Sequence, residues 1–241
     1  AMSVSEYNHV SPNTYGSEGY LMLAAYAALQ DWDAIYAYSY WGPHPDTFGN
    51  AWFVDPLKPV TTDYSPMYLF TINQNPQKMA SLLAASAMFL RGDIASAKKQ
   101  VVVPLNQNEE IGLLRQGANI ANASTLKVPR EAALVHRVAV ATEGQNVPGD
   151  ALTPDQVALL GDANTKIFTS DTGELTWDTT AKDRGVLTIN SAKSKGVIGF
   201  GGGKSFDLSG VILEPGPGLQ NGWSTLTLTA TEGAFTSTTS N

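Results

Sequence analysis

The chain has 241 residues, 43% of them hydrophobic, with a formal net charge of −7 and a pI near 4.9. That length is ample for one large core or two modest ones, and the acidic balance without a basic cluster argues against a nucleic-acid partner, since such binding is dominated by phosphate neutralisation. The absence of cysteine excludes disulfides, thiolate zinc sites and cysteine nucleophiles, and leaves the compartment unfixed.

Val4-Ser5-Glu6-Tyr7-Asn8-His9 reads as a short buried strand that delivers a carboxylate, a phenol, an amide and an imidazole to one edge. Ser17 suits a helix N-cap, with Glu18 in the first turn near the positive end of the dipole. The helix expected from Ser17 to Gln30 is apolar all round, which requires packing on more than one side. Its apolar stretch, Tyr20 to Leu29, is too short to span a bilayer, and no Lys/Arg-rich amphipathic helix is present, so no membrane partner is expected. Ala34 to Tyr40 reads as a second, aromatic strand ending at Trp41. A strand joined to a parallel neighbour through one helix is the right-handed crossover unit. Gly42 to Pro66 is a long loop, and loops of that length usually serve a function. Asn75-Pro76 opens another helix, with Met79, Leu82, Leu83, Ser86, Phe89 and Leu90 as its expected stripe, closed at Arg91-Gly92-Asp93.

After about Ala95 the texture changes. Gln100 to Leu105 is strand-like, Lys127 to Thr142 is ambiguous between strand and short helix, and Thr153-Pro154-Asp155 starts a small helix closed by Gly161. From Lys166 onward, short alternating segments recur between turns: 166–170, 174–178, 185–190, 196–201, 211–214 and 224–231. That pattern predicts an antiparallel β-sandwich, with a disordered tail from Thr236. Gly199 to Ser205 is superficially like a phosphate loop, but no helix follows to bind phosphate, so it reads as a turn. Asp171-Thr172-Gly173 likewise reads as a hairpin turn. His9, His44 and His136 lack ligand spacing, so no metal is expected.

Ser5-Glu6-Tyr7-Asn8-His9, followed by Ser17-Glu18 and Ala24 through Asp33, resembles the seventh-to-eighth-strand portion of clan A glycoside hydrolases, retaining (β/α)8 enzymes of the family 5 type. The resemblance implies an α/β region at 3–94, the last two units of a partial (β/α)8 barrel, followed by an all-β accessory sandwich at 95–241. It implies Glu6 as the nucleophile, Tyr7 and His9 positioning Glu6 or substrate hydroxyls, and Tyr40, Trp41 and Trp52 as aromatic surfaces for a sugar. Such faces stack on the apolar side of a pyranose ring. The expected partner is an oligo- or polysaccharide, with no cofactor and no metal.

A retaining enzyme needs a second carboxyl, the acid/base, which in this clan follows an Asn at the end of strand four, ahead of the nucleophile. Asn108-Glu109, the one Asn-Glu pair in the chain, lies after the barrel portion and reads as a solvated turn. The expectation is therefore a C-terminal piece of a larger hydrolase, secreted or periplasmic, whose export signal is not in this chain. Two alternatives stand beside it. One is a non-catalytic carbohydrate-binding or structural β-sandwich module, and the other a homo-oligomer that completes the barrel from a second copy.

Overall fold

The computed structural model describes residues 2–11, 13–40, 70–73, 75–117, 125–218 and 220–236. The expected loop from Gly42 to Pro66, with Trp41, His44 and Trp52, lies outside the described residues, as does the tail beyond Thr236.

Strand β1 (Ser3–Tyr7) pairs in parallel with β2 (Ala34–Ala37), and helix α1 (Glu18–Leu29) connects them. The strand is not buried as expected: Ser3, Ser5 and Glu6 are exposed. Among the described residues β2 is its one strand neighbour, so its other edge lacks the cover a central barrel strand would have. Beyond β2 the backbone runs on beside residues 70–73. Ser39 N–H donates to the Phe70 carbonyl at 2.9 Å, and Asn73 N–H donates to the Tyr40 carbonyl at 3.0 Å.

Helix α1 buries Tyr20, Leu21, Ala24, Ala25, Ala27 and Leu29, which matches its all-round apolar pattern. Ser17 is not a side-chain cap, however. Its own backbone is already helical, so its hydroxyl cannot turn back to the first amides and instead meets Thr225 Oγ1 at 3.2 Å.

Helix α2 (Pro76–Phe89) is capped as expected by Asn75, whose side-chain oxygen accepts from Lys78 N–H at 3.0 Å. Its buried face differs from the expected stripe. Leu83 and Leu90 are each 79% exposed, while Lys78, Ser81, Ala84, Ala85, Ala87 and Met88 are buried. Small residues let α1 and α2 approach closely, and that contact outweighs the burial of larger side chains one position away.

Strand β3 (Gln100–Leu105) leads into helix α3 (Gln107–Arg115), and helix α4 (Ala132–Val135) leads into β4 (Arg137–Thr142). Strands β3 and β4 are parallel over six residues, a second α/β element inside the stretch expected to be all-β. The ambiguous segment 127–142 thus holds both a short helix and a strand. A 3-10 helix follows at Pro154–Gly161 and packs Val157 against Val101 and Val103.

The C-terminal pattern yields β5 (Ile167–Thr169), β6 (Leu175–Asp178), β7 (Val186–Asn190), β8 (Ser194–Gly199) and, later, β11 (Ser224–Thr229). They form one antiparallel sheet in the order β11-β8-β7-β6-β5. Strands β9 (Phe206–Leu208) and β10 (Val211–Leu213) make a hairpin through Ser209 and Gly210, both at positive φ, as a two-residue type I′ connection requires. One face of the five-stranded sheet places Leu175, Leu187, Ile189 and Ile198 in a single core with α1 and α2. The other face packs Val186 and Val197 against Leu208 and Leu213 of the hairpin.

The architecture is mixed helix and strand, with a five-stranded antiparallel sheet beside small sheets. Among the described residues no barrel is closed. No helix among them is long and apolar enough to cross a membrane.

Candidate functional site

Residues at the C-terminal ends of parallel strands face the loops that follow them, and α/β proteins place their sites there. At the end of β1, Val4 pairs with Ile35 and Tyr7 with Ala37. Ser5 and Glu6 therefore stand opposite the single residue Tyr36, a local bulge. Bulges re-aim side chains and are enriched beside active sites. Glu6 is exposed there and has no hydrogen-bond or ion-pair partner among the described residues.

Tyr7 and His9 are brought together, Tyr7 Oη lying 3.1 Å from His9 Nε2, with no hydrogen bond from either to Glu6. The His9 ring lies flat against Gly19 in the first turn of α1, where an added Cβ would come within 2.8 Å of His9 Cγ. Nδ1 of His9 is buried without a hydrogen-bond partner among the described residues. Burial, with the Glu18 charge adding to it, raises the Tyr7 phenol above its ordinary pKa. Burial and the neighbouring Tyr7 push Tyr20 up to about 12. Both phenols stay protonated at neutral pH, so Tyr20 Oη can donate to the Tyr7 carbonyl at 3.1 Å.

The segment after Glu6 is held by a residue with no obvious role in the sequence. Lys78 on α2 is 1% exposed, and its Nζ donates to Asn8 Oδ1 at 2.8 Å, to the His9 carbonyl and more weakly to Ser11 Oγ at 3.4 Å. Each of these acceptors is a neutral oxygen, and burial lowers the lysine pKa accordingly. Asn8 also reaches the 70–73 segment, Nδ2 donating to the Phe70 carbonyl at 2.5 Å. One buried ammonium thus ties the β1–α1 connection to α2.

Of Tyr40, Trp41 and Trp52, expected to form an aromatic surface, Tyr40 alone falls among the described residues. Tyr40 is 53% exposed, and its backbone is fixed by Asn73. Tyr38, an alternative to Trp41 at the end of the expected aromatic strand, packs edge to face on Phe70 at 5.6 Å, and both are exposed. Trp41 and Trp52 lie outside the described residues. Asn108-Glu109 proves to be part of a helix cap rather than a free turn: Glu109 Oε2 accepts from Asn106 N–H, and Asn106 Oδ1 accepts from Glu109 N–H.

Two further clusters escaped the sequence reading. Trp223 Nε1 donates to Glu18 Oε2 at 2.9 Å, and its ring packs on Tyr15 at 5.0 Å. Asp171 accepts from the backbone N–H groups of Lys98 and Lys99 and sits 2.8 Å from His136 Nδ1. Burial alone would raise the Asp171 carboxyl, but these hydrogen bonds outweigh it and hold the group below its ordinary range. The spacing of Lys78 with Ser81, Ala85 and Met88 was the one available signal for its burial. The partners of Glu18 and Asp171 are too distant in sequence to leave any.

A scan against protein-family models found no match, and neither the curated proteins nor the solved structures gave a significant one.

Proposed function

We propose that the β1–α1–β2–α2 region is the nucleophile-bearing end of a retaining glycoside hydrolase barrel, and that the sheet packed beside it is an accessory layer. Glu6 is the nucleophile that attacks the anomeric carbon, and a second carboxyl serves as acid and then base. The observation that carries this reading is the exposed, unpartnered carboxylate in a bulge at the C-terminal end of a parallel strand. Tyr7 and His9 lie at the same strand end, and the half-exposed Tyr38 and Tyr40 just beyond the adjoining strand offer faces for a sugar ring. No cofactor is invoked.

The test exploits leaving-group chemistry. A 2-deoxy-2-fluoroglycosyl donor with a dinitrophenolate leaving group departs without protonation, so covalent trapping requires the nucleophile and not the acid. Incubation of the chain with gluco-, galacto-, manno- and xylo-configured donors, followed by peptide mapping, is expected to place one glycosyl group on Glu6. Labelling of another residue, or of none with all four donors, would refute the assignment.

A further inference from the structure

A groove of about 640 Å³ runs between the start of α1, the start of α2 and strand β11. Its volume falls within the range of small-molecule sites. Eleven described residues line it, and none of these carries a charge. The amides of Asn13, Gln77 and Gln220 and the hydroxyls of Ser17 and Thr227 supply donors and acceptors together, and Trp223 supplies the large apolar surface. Trp223 is held in place before any ligand arrives, its indole N–H bonded to Glu18 and its ring packed on Tyr15.

This chemistry selects a ligand class. A nucleic acid would require cations that the described lining lacks, and the Glu18 carboxylate bonded to Trp223 disfavours a small anion. A purely apolar ligand would cover the amides of Gln77 and Gln220 without offering them partners. Amides that donate and accept, next to a fixed indole, match a neutral polyhydroxyl chain with apolar C–H faces.

Position adds a second argument. Helix α1 follows β1, so the Asn13–Ser17 side of the groove lies at the same strand end as Glu6. On α2, Gln77 in the groove wall is the immediate neighbour of Lys78, which holds Asn8, His9 and Ser11. We infer that the groove is a second binding site, for a neutral glycan chain, on the same end of the molecule as the carboxylate. It rests on the proposed function only for the idea that one polysaccharide reaches both places; the groove's own binding does not depend on Glu6.

The test is a titration of the full chain with cello-, manno-, xylo- and galactohexaose, followed by NMR at the Trp223 indole and the Thr225 and Thr227 amides. At least one hexaose is expected to give saturable shifts at these signals. Ala80 lies in the groove wall on the exposed side of α2, so Ala80→Trp fills the groove without entering the core. It is expected to weaken binding by about ten-fold or more, a loss typical of a blocked contact centre, while Glu6→Gln binds as the wild type does. Absence of saturable shifts with all four sugars would overturn the inference, as would unchanged affinity in a folded Ala80→Trp protein. If the groove titrates and Glu6 cannot be trapped, the nucleophile assignment falls and the groove stands. Trapping at Glu6 without groove shifts removes the groove alone.

Discussion

Replacing Lys78 with methionine removes a dry charge and keeps the length of the side chain. Two of its hydrogen bonds are short, to Asn8 Oδ1 and to the His9 carbonyl, and the third is long. Bonds from a charged donor contribute ~1.5–3 kcal/mol each, so the short pair amounts to roughly 3–6 kcal/mol before any offset. The offset is the cost of holding an ammonium away from water without a carboxylate, which the lowered pKa of Lys78 registers. Methionine abolishes that cost but leaves two part-buried oxygens without their donor, at ~1–3 kcal/mol apiece. The unpaired oxygens dominate, and a net loss of about 2–4 kcal/mol follows, a fall in Tm of roughly 5–15 °C for a chain of this size.

The effect of pH carries a definite sign. The folded pKa of Lys78 lies below its unfolded value of about 10.4, so within that interval the unfolded chain binds the extra proton. Wild-type stability therefore gains from Lys78 as the pH rises toward 10.4, and the gap to Lys78→Met widens. Urea unfolding at several pH values, with hydrogen exchange over residues 8–11, measures both effects. A variant within about 0.5 kcal/mol of wild type, with unchanged exchange in that loop, would mean that Lys78 does not hold it.

Glu6→Gln is expected to melt within about 0.5 kcal/mol of wild type, because the side chain is exposed and unpartnered, while losing all glycosyl labelling; a large drop in Tm would show a structural role instead. Gly19→Ala adds about 1 kcal/mol of helix propensity but drives a methyl into the His9 ring, an overpacking cost of ~1–3 kcal/mol. Net destabilisation with a displaced His9 ring signal in NMR is expected, and a more stable Gly19→Ala protein would contradict the packing described. Asp171 and Asp93 both have depressed carboxyl pKa values, so the stability they confer is complete above the unfolded value near 3.9 and is lost as the pH falls through their folded values. Asp171→Asn should flatten, without abolishing, the acid limb of a Tm-versus-pH curve, and an unaltered limb would show that the His136–Asp171 contact is not formed in solution.

The elements most legible in the sequence were those whose pattern is local. Strands β6, β7 and β11 sit within two residues of their expected segments because inward residues such as Leu187 and Ile189 alternate with the less buried Thr188 and Asn190. Glu6, Tyr7 and His9 could be singled out because one strand end carries all three. What the sequence hid was set by distant partners. The buried face of α2 is chosen by α1 and by the sheet, and Lys78 is buried because three oxygens from residues 8–11 converge on it. The β9 strand went unseen because a three-residue segment with one exposed aspartate carries too little alternation to register. The second parallel pair was obscured by α4, whose four residues interrupt the apolar run before β4.

The seam between α2 and the strands that follow bears on how such a chain can be rearranged. Ser194 Oγ donates to Asp93 Oδ2 at 2.6 Å, Ala95 N–H donates to Glu174, and Lys98 and Lys99 reach Asp171. Together with the core shared by α1, α2, Leu187 and Ile198, these bonds span the point where a sequence-based division would fall. Accessory layers are often treated as interchangeable cassettes, joined by a tether that can be cut and respliced. Here the sheet is a wall of the room that houses α1 and α2. Grafting a different β layer after Ile94 would require redesigning the sheet-facing residues of both helices, and proteolysis at that seam should yield insoluble halves rather than two folded modules.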